Sequence, residues 1–568
     1  MDNNALEIIR KRYLMDGEST WEDVAKRVGF NVGALTVNPE LYGQSFAEMI
    51  NDLLFIPGGR ILRNVGRPRG SLFNCYHLPI GDSREEIGDC FKNSLILWGE
   101  GGGIGINFSS LRPQGSPIKG VGGVSSGVVS FMRALDGIAN TVESGGQRRA
   151  ASLGLLEVWH PDIIHFIKAK HQDKIISYFN ISVGITNEFI ESVQAGRDWT
   201  LHWQQQSRTV LPARYIWEMI VDGMLHNGEP GLLNMSNLRV NNSWYFAPIS
   251  GTNPCGEACL EENGVCNLGS LVLPKFVDKG GRIKWSLMEE VIHNAIRFLD
   301  TCIDLNHYSL SPIRQTAQRG RRVGLGVMGM ADMLFSMGIR YGSHDCLDTI
   351  EKLFKFIRNV SYQASIKLAT EKGAFPAYDA FNYCKSKFIR TLPPSLRSDI
   401  REHGIRNVTV NAIAPTGTIS LVANTTSSIE PLMYKAYKRK DRVSERTYIH
   451  EMYGSYLSNG GTPPDFLIDS KELGPMDHVE IQSAIQKYMD GAVSKTILLP
   501  ADYTSEHLSN LLLESIFDLK GVTVYKDGSR EGQPVIPMTE EEARACLNES
   551  ECAADVETVV CAGGVCDV

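Results

Sequence analysis

Apolar residues follow helical spacing near the start of the chain and again in several later stretches. The runs ALEIIRKRYL and TWEDVAKRV, within residues 1–60, place apolar side chains three and four positions apart, which predicts helices. Further along, RYIWEMIVDGMLH and LMEEVIHNAIRFLDTCIDL alternate with short β-branched runs such as NVTVNAIA and GVTVYK. Because helices alternate with apolar strand-like runs, the pattern favours an α/β architecture with a largely buried sheet.

Glycine interrupts this pattern most densely between about residues 60 and 130, in GGRIL, GEGGGIGINF and GSPIKGVGGVSSG. Such runs predict tight turns between short buried elements. The segment GLGVMG at 324–329 matches the G-x-G-x-x-G pattern, but it follows the basic stretch RQTAQRGRRV and not a convincing strand. Close packing of a helix on a sheet therefore explains it better than a dinucleotide site.

Composition excludes several classes of protein. The chain has 568 residues, of which 43% are hydrophobic and 21% charged, as in a globular enzyme. A net charge of −8 and the lack of a long Lys/Arg run argue against nucleic acid as a partner. The N-terminus has no signal-peptide core, and no apolar run is long enough to span a bilayer. We therefore expect a cytoplasmic protein with no membrane partner.

The cysteines point to chemistry and not to a disulfide scaffold. Twelve cysteines are too sparse for such a scaffold, and without a CxxC pair or an HExxH motif no metal site from protein side chains is predicted. Cys561 and Cys566 lie in the terminal run CAGGVCDV, which suits thiol–disulfide exchange or is an end with incidental cysteines. After Arg530 the composition turns acidic with little to bury, so 531–568 is predicted to be a flexible tail.

The pentapeptide Asn253-Pro254-Cys255-Gly256-Glu257 carries three chemically capable side chains. Proline and glycine both disfavour a helix, so the segment is expected to run extended or as an irregular loop. Alternation along an extended chain would place the amide, the thiol and the carboxylate on one side. An amide can orient a hydroxyl, a carboxylate can take a proton, and a sulfur can carry a radical. Taken alone, the pentapeptide is still better explained as a loop with a buried cysteine.

The run AIAPTGTIS at 412–420 predicts a phosphate-binding turn. An apolar, strand-like stretch leads into hydroxyls and free backbone N–H groups around a turn, which together suit an anion. An ordinary capped helix start explains the run equally well when it is taken alone. The candidate phosphate ligands are Pro415, Thr416, Gly417, Thr418 and Ser420.

Several separated motifs, in order, resemble those of a ribonucleotide reductase catalytic chain, from roughly residue 10 to the C-terminus. They are FNC at 73–75, GGIGIN at 102–107, NPCGE, VCNLGS at 265–270, APTGTIS, TVYKDGSR at 523–530 and the terminal cysteine pair. The resemblance implies an N-terminal helical region over 1–60 and a ten-stranded α/β barrel over 61–530. Cys255 would then lie on a finger loop inside the barrel.

The resemblance also implies a role for each residue of the reaction. Cys255 matches the thiyl radical that removes the ribose 3′ hydrogen, Glu257 would take the 3′-hydroxyl proton, and Asn253 would hold the neighbouring hydroxyl. Cys75 and Cys266 match the pair that becomes a disulfide as the 2′-hydroxyl leaves as water. Because these two cysteines are far apart in sequence, their pairing is a prediction about the fold. The presence of all five residues argues against a non-catalytic nucleotide-binding regulator.

Further positions match the family's substrate, reductant and effector contacts. Asn74 and the phosphate turn would hold the ribonucleotide, and the tail cysteines would pass electrons from a thioredoxin-like reductant. Asp82 resembles the acid that reads the deoxyribose of a deoxynucleotide effector, and Arg112 resembles a triphosphate contact. The loop that connects effector and substrate matches Gly145, Gly146, Gln147, Arg148 and Arg149.

Three absences favour the adenosylcobalamin-dependent branch (class II) of the family. The chain has no Tyr-Tyr pair, and Tyr525 stands alone where the branch with a separate radical subunit has one. A glycine-radical motif is also absent, and Cys75 comes too early for an ATP-cone domain. Adenosylcobalamin is thus the expected cofactor, and a class I type subunit served by a metal-containing partner is the alternative. Monomeric members of this branch carry a long insertion around the region between Arg112 and Gly145, and this chain lacks it, so we expect a homodimer. By resemblance to the dimeric members, we expect the substrates to be diphosphates.

Overall fold

The computed structural model describes residues 3–118, 120, 122–142, 151–170, 176–204, 206–440, 445–529 and 535–548. Helices pack on an eight-stranded, largely parallel sheet and on a mixed three-stranded one, so the α/β architecture predicted from the sequence is confirmed. Among the described residues, no helix is both long and apolar enough to cross a membrane.

The α-helices have the following bounds: α1 Asn3–Arg12, α2 Trp21–Gly33, α3 Pro39–Asn51, α4 Gly59–Asn64, α5 Arg84–Gly99, α6 Val128–Thr141, α7 Ile163–Lys168, α8 Asn187–Gln194, α9 Ala213–Asn227, α10 Met235–Arg239, α11 Trp285–Leu305, α12 Ser311–Gly320, α13 Met330–Ser336, α14 His344–Lys372, α15 Ala380–Tyr383, α16 Pro394–His403, α17 Gly417–Ala423, α18 Glu451–Ser458, α19 Pro475–Gln486, α20 Ser505–Ser515 and α21 Glu540–Asn548. The strands are β1 Phe55–Pro57, β2 Cys75–Leu78, β3 Gly103–Asn107, β4 Ser152–Glu157, β5 Phe179–Ile185, β6 Asp198–Trp203, β7 Gln206–Pro212, β8 Gly231–Asn234, β9 Gly251–Thr252, β10 Cys259–Leu260, β11 Val265–Cys266, β12 Leu268–Val272, β13 Gly324–Met328, β14 Ala436–Lys440, β15 Glu445–Ile449, β16 Thr496–Leu499, β17 Gly521–Lys526 and β18 Val535–Pro537.

The larger sheet has the strand order β11-β2-β3-β4-β5-β8-β17-β16. Strands β2, β3, β4, β5 and β8 are parallel neighbours, whereas β11 and β17 join them in antiparallel fashion. Almost every residue of these parallel strands is buried, as is typical of parallel strands that are covered on both faces. The side chains near the strand ends are thereby held in a rigid frame.

The smaller sheet has the order β1-β12-β13, and β12 and β13 are parallel. The glycine-rich run GLGVM forms β13 itself, and most of the basic stretch before it belongs to α12, so it follows a helix and not a strand, as the sequence indicates. The run NVTVNAIA, read as a strand, forms only isolated parallel bridges, from Asn411 to Leu325 and from Ile413 to Val493. The buried carboxylate of Asp490 accepts hydrogen bonds from the backbone N–H groups of Val410 and Asn411. These bonds partly replace the backbone hydrogen bonds that a neighbouring strand would supply.

The N-terminal region consists of the helices that its apolar spacing predicts, followed by a strand. Thr20 caps α2 through a capping box with Asp23, and Trp21 donates from Nε1 to the carbonyl of Ile50 at 3.1 Å, which joins α2 to α3. Strand β1 then pairs with β12. The last residues before 60 therefore belong to the smaller sheet and not to the helical region alone.

Residues 535–548 are folded, which corrects the prediction of a flexible tail beginning at 531. Strand β18 pairs with β14, and α21 packs against α18 with Ala543 fully buried. Arg544 donates to the carbonyls of Leu457 and Gly461 at 3.0 and 2.8 Å. Composition misled here because the acidic side chains of α21 face outward, while its few apolar residues share one face.

Candidate active site

The pentapeptide at 253–257 is the turn of a short hairpin. Strands β9 and β10 pair antiparallel with Thr252 opposite Cys259, and the Gly256 N–H donates to the Asn253 carbonyl at 3.1 Å. Gly256 has φ of +83°, a left-handed conformation that suits glycine. The chain therefore reverses instead of alternating as an extended strand, and Asn253 and Glu257 meet across the turn.

Asn253 and Glu257 form a fully buried polar pair. Asn253 donates from Nδ2 to Glu257 Oε1 at 2.8 Å, while its Oδ1 accepts from the Ala258 N–H at 3.0 Å. The second carboxylate oxygen of Glu257 is buried without a hydrogen-bond partner. Burial raises the pKa of Glu257 to about 7, against the opposing effect of its hydrogen bonds. The carboxyl group can thus exchange a proton near neutral pH.

Cys255 differs from its neighbours in accessibility. Asn253, Glu257, Cys75 and Cys266 are all buried, whereas Cys255 is partly exposed at the tip of the turn. Its sulfur can therefore be approached from outside the protein interior, while the groups around it stay shielded from water.

Cys75 and Cys266 are directly opposite each other in the antiparallel pairing of β2 with β11. Both thiols are buried, and burial together with the hydrogen bond to Cys75 raises the pKa of Cys266. A Cβ atom at Gly103 would lie 3.1 Å from both Cys75 Sγ and Pro254 Cγ. The sheet therefore brings the cysteine pair beside the hairpin turn, although the two cysteines are far apart in sequence.

Close backbone contacts hold the hairpin inside the molecule. A Cβ atom at Gly105 would overlap the carbonyl oxygen of Thr252, so the glycines of GGIGIN allow β3 to approach the hairpin. From the other side, the Ala492 N–H donates to the Glu257 carbonyl at 2.8 Å. The hairpin is thus clamped between the large sheet and the segment that follows Asp490.

His77 is a neighbour of the hairpin that the sequence did not single out. Its buried ring lies against the backbone of Thr252 and Gly105, and burial lowers its pKa to about 4. A signal was present in the sequence, since His77 follows Cys75 by two positions and shares its side of the strand.

The predicted phosphate turn surrounds the start of α17. Thr416 has φ of +57°, and its Oγ1 accepts from the Ser428 N–H at 2.7 Å. Ser420 donates from its N–H to the Thr416 carbonyl at 2.9 Å. Arg12 of α1 lies beside the turn and donates from Nη1 to Thr418 Oγ1 at 3.4 Å, a cation that no local pattern predicts.

Asn74, predicted as a substrate contact, is buried next to Cys75. Its Oδ1 accepts from the Arg60 N–H at 3.2 Å, and its carbonyl accepts from the Gly103 N–H at 2.8 Å. The structure thus places Asn74 at the edge of the same site, with its side chain bonded to the start of α4.

The two predicted effector residues are also in contact. Arg112 binds Asp82 through its backbone N–H and its guanidinium, with each distance 2.8 Å. This hydrogen bond to Asp82 raises the pKa of Arg112. The specificity-loop residues Gly145, Gly146, Gln147, Arg148 and Arg149 and the tail residues Cys561 and Cys566 lie outside the described residues.

Cys259 belongs to a different environment from Cys75 and Cys266. It is buried with apolar side chains that include Leu155, Leu233 and Ile249, and burial raises its pKa. Cys75 and Cys266 belong to a different buried cluster. In the described part of the chain, no group of three or more His, Cys, Asp or Glu side chains is arranged to hold a metal ion.

Comparison with known proteins gives a consistent result. Residues 73–525 match the family model described as ribonucleotide reductase, barrel domain. The chain is 35% identical to the vitamin B12-dependent ribonucleoside-diphosphate reductase of Thermoplasma acidophilum, over 88% of this chain and 67% of that protein. It is 34% identical to the protein of the same name from Mycobacterium tuberculosis, over 93% of this chain and 80% of the relative. A ribonucleoside-diphosphate reductase subunit alpha of Chlamydia muridarum is 27% identical, over 89% of this chain and 52% of that protein.

Proposed function

The chain belongs to the ribonucleotide reductase family, in its vitamin B12-dependent class, and we propose that it reduces ribonucleoside diphosphates to 2′-deoxyribonucleotides. One observation carries the proposal. A partly exposed thiol, a buried amide–carboxyl pair with one unpartnered oxygen and two opposed buried thiols share one small region. Radical removal of a hydroxyl from a ribose needs each of these groups.

Glu257 acts as the base in this proposal. Its unpartnered oxygen accepts the 3′-hydroxyl of the ribose, and Asn253 holds the carboxyl group in place at 2.8 Å. With a pKa raised to about 7, the carboxyl can take the 3′-hydroxyl proton and return it within one catalytic cycle. Cys255 carries the radical, removes the 3′ hydrogen as the reaction begins, and gives it back at the end.

Cys75 and Cys266 supply the two electrons. As the 2′-hydroxyl leaves as water, each thiol gives up one hydrogen and an S–S bond forms between the two sulfurs. Their direct opposition in an antiparallel pair supports this role, because such pairs can bring two thiols within bonding reach. We propose that Cys561 and Cys566 then reduce this disulfide by thiol exchange and are themselves reduced by a thioredoxin-like protein.

Adenosylcobalamin is the proposed cofactor, and its role would be to generate the radical on Cys255. The exposure of Cys255 fits an external cofactor, since every other member of the site is buried. No ligand set from the protein is needed, because the corrin ring carries the cobalt. Tyr525 stands without a tyrosine neighbour in the sequence, which supports direct radical generation at the thiol over transfer through a tyrosine pair.

The finer architecture is also a proposal. We propose that ten strands drawn from the eight-stranded sheet and from the sheet β1-β12-β13 form a barrel, with the 253–257 turn as its central finger loop. Contacts of the hairpin with β3 on one side and with Ala492 on the other support this arrangement. Pro415, Thr416, Gly417, Thr418 and Ser420 would bind the substrate phosphates, with Asn74 close to the ribose.

Control by deoxynucleotides is proposed at a second site. Asp82 would bind the deoxyribose of an effector and Arg112 its phosphates, and the contact between these two residues supports a shared site. The loop at 145–149 would carry the signal to the substrate, and a homodimer would place the effector at its interface.

The deciding experiment measures reduction of CDP, UDP, ADP and GDP by the purified protein with dithiothreitol, with and without adenosylcobalamin. We expect deoxynucleotide formation only with the cofactor, and none from the Cys255→Ala variant. Activity without cobalamin on addition of a separate metal-containing subunit would favour the class I alternative.

A further inference from the structure

Left-handed backbone is concentrated in the segment 416–428. Thr416, Asn424 and Ser428 have φ of +57°, +50° and +51°. Residues other than glycine adopt this conformation rarely, and a β-branched threonine is among the least suited to it. Such a shape persists only where surrounding contacts hold it in place.

Hydrogen bonds connect the first residues of the segment to the last ones. The Ser428 N–H donates to Thr416 Oγ1 at 2.7 Å, so the position of Ser428 sets the conformation of Thr416. Ser420 and Ser427 also share a hydroxyl contact at 3.3 Å. The proposed phosphate turn therefore depends on where residues 425–428 lie.

Asp332 of α13 anchors those residues. Its Oδ2 accepts from Thr425 Oγ1 at 2.6 Å, from the Thr426 N–H at 2.6 Å and from Thr426 Oγ1 at 2.8 Å. Burial opposes ionisation of Asp332, but hydrogen bonds from His450, Thr425 and Thr426 outweigh it and hold the pKa below its usual range. A carboxylate thus binds three donors of one short segment.

His450 orients this carboxylate from the opposite side. Its Nε2 lies 2.8 Å from Asp332 Oδ1, and its ring packs edge-on against Phe335. The backbone N–H of His450 donates to the Lys435 carbonyl at 3.0 Å, which fixes the main chain that carries the ring directly before α18.

A cavity borders the C-terminal end of α17. The helix ends at Ala423, and Val422, Ala423 and Asn424 border a cavity of about 790 Å³ that Asp332 and His450 also line. Thr425, Thr426 and Ser428 are themselves buried, so the hydrogen bonds of Asp332 act on a segment that water does not reach.

We propose that Asp332, oriented by His450, is a positioning residue for the substrate phosphates. It holds residues 425–428 so that Thr416 keeps the left-handed backbone on which the shape of the phosphate turn depends. The inference rests on the proposed function, because it takes 415–420 as the phosphate-binding turn.

The test compares Asp332→Ala, Asp332→Asn and Glu229→Ala in the full-length enzyme with adenosylcobalamin. The measurements are kcat and KM for CDP, the inhibition constant of inorganic pyrophosphate, and the melting temperature. Glu229 is the matched control, a buried carboxylate bonded to Lys170 and to the Ile181 N–H in the larger sheet.

For Asp332→Ala we expect KM for CDP and the pyrophosphate constant to rise together by about tenfold, because a charge-assisted anchor is lost. The value of kcat should fall by less than about threefold. Asparagine retains one oxygen for Thr425 and Thr426, so Asp332→Asn should lie between the alanine variant and the wild type. Glu229→Ala should lower the melting temperature and leave both constants unchanged.

Unchanged constants in a folded Asp332→Ala protein would overturn the proposal, as would a loss matched by the Glu229 control. If the alanine variant does not fold, Asp332→Asn and Thr426→Val test the proposal in its place. At least one of them must raise both KM for CDP and the inhibition constant of pyrophosphate. If the wild type reduces no CDP, the proposed function fails first. Calorimetry with pyrophosphate then tests the turn by itself, and equal affinity in wild type and Asp332→Asn rejects the anchor.

Discussion

The hairpin at 251–260 and the segment at 415–428 are both constrained, but by different forces. Backbone overlap holds the hairpin, since Gly105 leaves no room for a side chain beside the Thr252 carbonyl. Side-chain hydrogen bonds to Asp332 hold the second segment, and a cavity borders it. A steric contact allows almost no added volume, so even one methyl group should displace the hairpin. The hydrogen bonds of Asp332 can instead be removed one at a time, so substitutions there should have graded effects. The proposed radical site thus lies in the region that backbone overlap holds in place.

The largest loss of activity is expected for Gly105→Ala. The added methyl group must displace the hairpin, and because small misplacements of reacting groups are costly, activity should fall by about 100-fold or more. Gly99→Ala is the control, since a Cβ atom there meets nothing within 4 Å. Turnover of CDP and the melting temperature should separate the two variants. Near-normal turnover by Gly105→Ala would show that the hairpin is not sterically fixed.

Glu257→Gln removes the proposed base while keeping the hydrogen-bonding shape. General-base loss predicts a fall in kcat of about 100-fold or more, with KM little changed. In the wild type, kcat should increase with pH through about 7, because the ionised form is needed and burial raises the pKa to that value. A pH profile of kcat that is flat from 5 to 8 would contradict the assignment.

The same raised pKa affects stability. The folded state favours the protonated carboxyl, so its stabilising effect is complete below the unfolded value of 4.5 and is lost as pH rises through about 7. The wild type should therefore lose up to about 3 kcal/mol relative to Glu257→Gln across this window. Chemical denaturation of both proteins at pH 4.5, 6 and 8 measures the difference. If the difference in unfolding free energy between the two proteins were the same at all three pH values, burial would not raise the pKa of Glu257.

A smaller effect is expected for Asp332→Ala, with KM raised about tenfold and kcat nearly retained. The comparison with Gly105→Ala is informative because Asp332→Ala should lose substrate affinity, whereas Gly105→Ala should lose turnover. If both variants lowered kcat alike, the two regions would form one mechanical unit.

The smallest effect is expected for Cys259→Ala. Cys259 contacts apolar side chains and lies in a different cluster from Cys75, so turnover should change by less than about twofold. Loss of the sulfur from a packed site should lower stability by about 1 kcal/mol. Kinetics and thermal unfolding, with Cys75→Ser as the inactive comparison, test both expectations. A large loss of turnover would instead bring Cys259 into the reaction.

Sequence patterns predicted well where the cause is local. The spacing of apolar residues predicted α1, α2, α9 and α11, since neighbours three and four positions apart share a helix face. For 253–257 the sequence left an extended run and an irregular loop open, and left-handed Gly256 reverses the chain. Local reasoning failed for α21, whose few apolar residues pack against the distant helix α18. Composition alone does not reveal such a partner.

By itself the sequence determined which chemical groups are available: the thiols, the amide and the carboxylate of the site, and the hydroxyls of the phosphate turn. Only the tertiary structure decided which of them meet. Cys75 faces Cys266 through strand register, Asn253 binds Glu257 across a turn, and Asp332 reaches Thr426 from another helix. These contacts depend on how sheets pair and helices pack over long separations, and no pattern of neighbouring residues encodes that geometry.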